Sequence, residues 1–153
     1  MSLTRRALVL SSAATAALTA SACSKSEAQL AIKVYKITEC TCCGAWVDHL
    51  KAAGFKAEIE ARDDLPQMDK SLGIPDDLTS CHTGVIAGYV IVGHVPAEDI
   101  KRFLALAPKA KGLAVPGMPT NSPGMEVAGE PIERYTVWQF EANGNRTAFA
   151  VHG

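Results

Sequence analysis

The sequence predicts an α/β domain with a central mixed sheet, flanking helices and an added C-terminal hairpin. Three observations carry this expectation. Short β-branched runs alternate with segments of helical periodicity in the order β-α-β-α-β-β-α. A cysteine-rich turn joins the first strand to the first helix, and two alternating runs near the end flank Asn143-Gly144, a strong hairpin turn signal. The 153 residues, 48% hydrophobic and 20% charged, suit one domain and are too apolar for a disordered chain. With 15 basic and 16 acidic residues the net charge is −1, so no basic footprint points to a nucleic-acid partner.

The elements follow in order. Residues 1–22 read as an export signal: Arg5-Arg6 precede Ala7-Leu8-Val9-Leu10 and an uncharged run of small and apolar residues to Ala22. The arginine pair suits either a twin-arginine or a general secretion route. Ala20-Ser21-Ala22 is an A-x-A cleavage site, and small residues before Cys23 equally suit a lipobox that would make Cys23 a lipid anchor; the membrane is expected to matter only through that anchor. Without residues 1–22 the net charge becomes −3. Residues 23–31 form a polar tether, and residues 32–153 the domain. Ile32, Val34, Tyr35 and Ile37 mark the first strand; Trp46, Val47, Leu50 and Ala53 repeat at helical spacing until Gly54 stops them. A strand is expected at 56–61, and a short helix at 65–72 that starts after Asp63-Asp64, contains Met68 as a core residue and ends at Gly73. Runs at 83–87 and 89–95 around Gly88 suggest a hairpin, and Pro96 opens a helix through Leu106. The segment 108–131 changes character: KAKGLAVPGMPTNSPGMEVAGEP holds four prolines and four glycines, which predicts an ordered flap without a regular element. Strands at 135–140 and 146–151 close the chain.

The chemistry concentrates in five cysteines, of which three crowd Glu39-Cys40-Thr41-Cys42-Cys43-Gly44. A strand-to-helix turn brings free backbone N–H groups and the positive end of the helix dipole to sulfur, which favours thiolates. Structural disulfides alone explain the motif poorly, because adjacent Cys42 and Cys43 close only a strained ring. Cys40 and Cys43 form a C-x-x-C pair in the layout of thioredoxin-like dithiol oxidants, so a thiol-disulfide or copper-dependent oxidoreductase is one reading. Against it stand Cys42, a third thiol that would divert a mixed disulfide, and the lack of a proline at 80–84, where a thioredoxin fold places its cis-proline. A soft metal ion uses all three thiols, and Cys81 besides.

Cys81-His82 precedes the strand that neighbours the first one in a thioredoxin-like sheet, so its loop should face the cysteine turn. His94, in Val92-Gly93-His94-Val95-Pro96, is a further ligand candidate, whereas His49 and His152 read as surface residues. Met118 and Met125 sit among glycines and prolines with no face to bury them, which makes them thioether ligands or lid residues. Thiolate, thioether and imidazole together select copper, most naturally Cu(I), and bridging thiolates support more than one ion. A zinc or iron–sulfur structural module is the third class. No paired-carboxylate, Ser-His-Asp or phosphate-loop pattern is present.

These motifs resemble the widespread exported domain of formerly unknown function that includes the CopG-type copper-resistance proteins. The matching text is Cys40-Thr41-Cys42-Cys43-Gly44-Ala45-Trp46, Ser80-Cys81-His82-Thr83, residues 88–96, 112–119 and Ser122-Pro123-Gly124-Met125-Glu126, spanning about residues 32–150. Thr41 stands where the common family form has glycine. The resemblance implies a thioredoxin-like fold in the periplasm, copper bound through the cysteine motif, and a part in copper tolerance or handling, with another periplasmic copper protein as a possible partner.

Overall fold

The computed structural model describes residues 30–153. The export signal, Cys23 and all but the end of the tether lie outside the described residues. One mixed sheet of seven strands organises the domain, in the order β2-β1-β3-β4-β5-β6-β7. Its strands are β1 (Ala31–Lys36), β2 (Lys56–Ala61), β3 (His82–Ile86), β4 (Tyr89–Gly93), β5 (Gly112–Val115), β6 (Tyr135–Phe140) and β7 (Arg146–His152), and its helices α1 (Cys42–Ala52), α2 (Leu65–Ser71) and α3 (Ala97–Leu106). β1 runs parallel to β2 and β4 parallel to β5; every other pairing is antiparallel.

Helix α1 forms because Cys43, Trp46, Val47 and Leu50 fall on one buried stripe. It starts at Cys42, earlier than the apolar periodicity alone indicates. Gly54, at a φ of 93°, turns the chain out of it toward β2. Helix α3 starts after Pro96, carries Glu98 and Asp99 against its dipole, and buries Ile100, Phe103 and Leu104. Both helices pack on one face of the sheet, around Ile32, Val34, Ile86, Ile91, Leu113, Val115 and Val137. The opposite face buries Val90, Val92, Ala114 and Phe140 under Ile74 and Leu78, contributed by the segment that follows α2.

Two expectations need correction. The proline- and glycine-rich segment contains a regular element after all, since Gly112–Val115 enters the sheet as β5 between β4 and β6. All four of its residues are buried, so it shows the continuous apolar run of a strand covered on both faces and no alternation to betray it. Within α2 the fully buried side chains are Leu65 and Asp69, while Met68 is half-buried. Asp69 accepts a hydrogen bond from Thr83 Oγ1 at 2.8 Å across the second face. Asp64 stands at the N-cap of α2, but its carboxylate pairs with Arg62 and caps nothing.

Candidate metal centre

The pairing of β1 with β3 builds the site. Lys36 lies opposite His82, and Ile37 N–H donates to the Cys81 carbonyl at 3.1 Å, so the turn that leaves β1 rests beside the residue that enters β3. That turn is tight: Cys40 N–H donates to Ile37 O, and the Lys36 ammonium donates to the carbonyls of Ile37, Thr38 and Cys40. The cysteines therefore arrive on a clamped loop at the start of α1. Cys43 N–H points at Cys40 Sγ from 3.2 Å, as the helix N-terminus requires.

All four cysteines among the described residues meet there. Cys40 and Cys43 are joined in a disulfide, with Cα atoms 5.8 Å apart, and Cys42 and Cys81 are free. Cys81 Sγ lies 3.4 Å from Cys40 Sγ, 3.6 Å from Cys43 Sγ and 3.9 Å from Cys42 Sγ; Cys40 and Cys42 sulfurs are 3.5 Å apart. Burial, reinforced by the neighbouring Cys42 thiol, pushes the Cys81 thiol up to about 11.

Two imidazoles close the inner side, both fully buried. His82 sits between the Trp46 ring, 4.5 Å away, and the His94 ring, 4.9 Å away. Its Nε2–H donates to the Gly93 carbonyl at 3.0 Å, which leaves the Nδ1 lone pair 3.6 Å from Cys81 Sγ. His94 is oriented by the flap: Nδ1–H donates to Pro123 O at 2.8 Å, and the buried Nε2 has no hydrogen-bond partner. Burial lowers the pKa of both rings, that of His82 to about 3 with help from His94, so both are neutral and able to bind a metal. Cys40, Cys43, Cys81 and His82 bring their ligand atoms within 4.8 Å of one another, as do Cys42, Cys81 and His94. The two groups share Cys81.

The expected residues thus separate. Cys40, Cys42, Cys43, Cys81, His82 and His94 converge. Met125 is half-buried on the flap beside Gly124, where an added Cβ would lie 2.6 Å from Trp46 N, so that stretch packs on the backbone of α1. Met118 is 45% exposed at a φ of 49°. His49 and His152, expected at the surface, are half-buried and structural. His49 Nε2 accepts the Ala97 N–H at the start of α3, and His152 packs on Tyr135 while donating to Asp99. The spacing of the chain gave no hint of Trp46 as the wall behind His82, of Lys36 as the clamp on the turn, or of the Pro123 carbonyl that aims His94.

A family profile described as a protein of unknown function, DUF411, matches residues 78–125, the stretch from Cys81 and His82 through β4 and α3 to the flap. No curated protein matches. Two solved structures of the copper resistance protein CopG, Form 1 and Form 2, each share 40% identity and cover 81% of this chain and 98% of their own, with TM-scores of 0.76 and 0.75. Among the described residues no helix is long and apolar enough to cross a membrane. A soft, histidine-backed sulfur cluster in a chain this similar over nearly the full length of both solved chains has one family reading: the protein belongs to the family of the copper resistance protein CopG.

Proposed function

We propose that the domain binds Cu(I) in the periplasm and takes part in copper resistance or copper handling, with Cys40, Cys42, Cys43 and Cys81 as thiolate ligands and His82 and His94 as imidazole ligands. One observation carries the proposal: His94 Nε2 is buried, neutral and without a partner in a group with Cys42 and Cys81. A buried polar atom left unpaired costs about 1–3 kcal/mol, and a metal ion held with those sulfurs removes that penalty. Four soft thiolates with two imidazoles, which also suit copper, favour Cu(I) over hard cations. Loading requires an external dithiol to reduce the Cys40–Cys43 disulfide, supplying two electrons and two protons and itself becoming a disulfide; the two thiols then release their protons to solvent as they bind the metal. Cys81, common to both donor groups, suits a bridging thiolate and hence more than one ion. Met125 on the packed part of the flap, and Met118 further out, serve as thioether cover. The β1-α1-β2 unit with cysteines at its turn, followed by antiparallel β3-β4 and α3, supports a thioredoxin-like reading of the core. The basic, apolar stretch of residues 5–22 supports export, and Cys23 is the candidate lipid anchor.

A second reading rests on the disulfide itself. Cys81 Sγ, 3.4 Å from Cys40 Sγ, is placed to exchange with it, releasing Cys43 as thiolate, which is the chemistry of a thiol-disulfide oxidoreductase. Its raised pKa keeps Cys81 protonated at neutral pH and makes it a weak nucleophile, which ranks this reading second. Anaerobic Cu(I) titration of the reduced protein against a competing chelator, with thiol counting, decides between them. Copper uptake with loss of thiol reactivity, abolished by Cys42→Ser, upholds the copper site. Absence of competitive uptake, with a readily cycled Cys40–Cys43 disulfide, overturns it in favour of the oxidoreductase.

A further inference from the structure

One peptide group of the flap touches one inner imidazole of the site. His94 Nδ1–H donates to Pro123 O at 2.8 Å, and the N–H of the same peptide, on Gly124, donates to Glu126 Oε1 at 2.8 Å. A carboxylate, a peptide and an imidazole are therefore joined in line. The peptide is held on both sides. Gly124 adopts a φ of 84° against the backbone of Ala45 and Trp46, where any side chain would collide. The buried Ser122 ties the loop shut, its hydroxyl donating to Pro119 O and its carbonyl accepting from Met125 N–H.

We infer that Glu126 is a positioning residue: through the Pro123–Gly124 peptide it fixes His94 in the tautomer that carries its proton on Nδ1 and presents the Nε2 lone pair to Cys42 and Cys81. A charged acceptor on the N–H side polarises the peptide and strengthens its carbonyl as an acceptor, because hydrogen bonds in a chain reinforce one another in a low-dielectric setting. The stronger that carbonyl, the more firmly Nδ1 keeps its proton and the more basic Nε2 becomes. Outer-shell carboxylates commonly orient metal-binding histidines by direct contact. Here the backbone is interposed, which lets an exposed acid act on a buried ring without entering the sulfur cluster. The Glu126 charge also acts on His94 and on His49, opposing the effect of burial on each. The significance of the relay for copper rests on the ligand assignment of His94 proposed above; the relay itself does not.

The test is imidazole nitrogen NMR on the reduced, metal-free protein. Wild type is expected to show His94 Nδ1 at a pyrrole-type shift and Nε2 at a pyridine-type shift. Glu126→Gln, which keeps an oxygen acceptor and removes the charge, should draw the two shifts together, whereas Glu130→Gln, a change at an exposed acid of the same flap, should leave them as they are. Identical His94 shifts in wild type and Glu126→Gln overturn the inference, as does a wild-type Nε2 that carries the proton. A coupling across the hydrogen bond between the Gly124 amide and the Glu126 carboxyl carbon in wild type needs no variant, and its absence also overturns the relay. Cu(I) competition on the same proteins separates this inference from the function. A tautomer change with roughly tenfold weaker copper supports both. A tautomer change with unaltered copper affinity upholds the relay and removes His94 from the ligand set.

Discussion

Histidine is used in two opposite ways in this molecule. At the cysteine end, His82 and His94 each spend one nitrogen on a backbone carbonyl and keep the other for the sulfur cluster. Between α3 and β7, His152 spends Nε2 on the Asp99 carboxylate at 2.6 Å and lies stacked on Tyr135, with Arg102 completing the knot to Asp99 and to the Phe149 carbonyl. What the ring nitrogens face makes the difference: a carboxylate for His152, thiols for His82 and His94. Where it is an anion the ring staples two elements together; where it is a group of thiols the ring has the surroundings of the proposed metal ligand. Burial separates the two as well, since His82 and His94 are fully enclosed while His152 keeps a third of its side chain exposed.

The contrast can be broken most severely at Cys81, the sulfur shared by both donor groups. Cys81→Ser should weaken Cu(I) binding by roughly 100-fold or more in chelator competition, because oxygen is a poor ligand for a soft ion. Retained affinity would show that Cys40, Cys42 and Cys43 suffice. Gly124→Ala should come next: it forces a side chain onto a left-handed backbone and into the backbone of α1, lowering stability by about 2 kcal/mol in chemical denaturation and loosening copper through the displaced Pro123 carbonyl. The comparison itself is tested by paired variants. His94→Gln should weaken copper by roughly tenfold with a small change in Tm, whereas His152→Gln should leave copper binding alone and lower stability by about 1 kcal/mol. The reverse pattern would mean that the two histidine environments have been assigned the wrong way round.

The smallest effect belongs to Asp69 on the far face. Burial holds its pKa above the ordinary carboxylate value, opposed only by the hydrogen bond from Thr83, so the folded protein binds that proton more tightly than the unfolded chain does. This contribution to stability is fully present below the ordinary carboxylate pKa and is lost as pH rises through the raised one. Asp69→Asn keeps an acceptor for Thr83 and removes the charge. It should be equal to or slightly more stable than wild type at neutral pH, by less than about 1 kcal/mol, and its stability should vary less with pH in urea denaturation between about pH 3 and about pH 7.

Much of the frame was legible in the chain because its local signals agree with its packing. The stripe of Trp46, Val47 and Leu50, the stop at Gly54, the opening of α3 after Pro96 and the Asn143-Gly144 turn each name their own element. β5 escaped because four buried residues in a proline-rich stretch carry neither alternation nor length. The cysteines and the Cys81-His82 pair were legible as soft donors. The facing of their loops follows from the pairing of β1 with β3. The orientation of His94 depends on a carbonyl 29 residues away, and the burial of Asp69 on a hydroxyl 14 residues away; in each case the partner belongs to a different segment, so no periodicity within one element links the two. Glu126 was visible only as the last letter of a flap motif, since no spacing rule links an acid to a histidine through an intervening peptide.

The distances along the chain also set an order of events. Cys40 and Cys81 stand 41 positions apart, so an unfolded chain offers copper only the short stretch of Cys40, Cys42 and Cys43, without the second strand, the imidazoles or the flap. The complete donor set exists only after β3, β4 and the flap have docked. Whatever affinity the assembled site has beyond that local stretch therefore appears as folding free energy, and the unfolding temperature should climb with free Cu(I). On the proposed ligand set, copper arriving before folding would meet the local cysteines first, and copper arriving afterwards would be held by residues from the whole domain and would stabilise it.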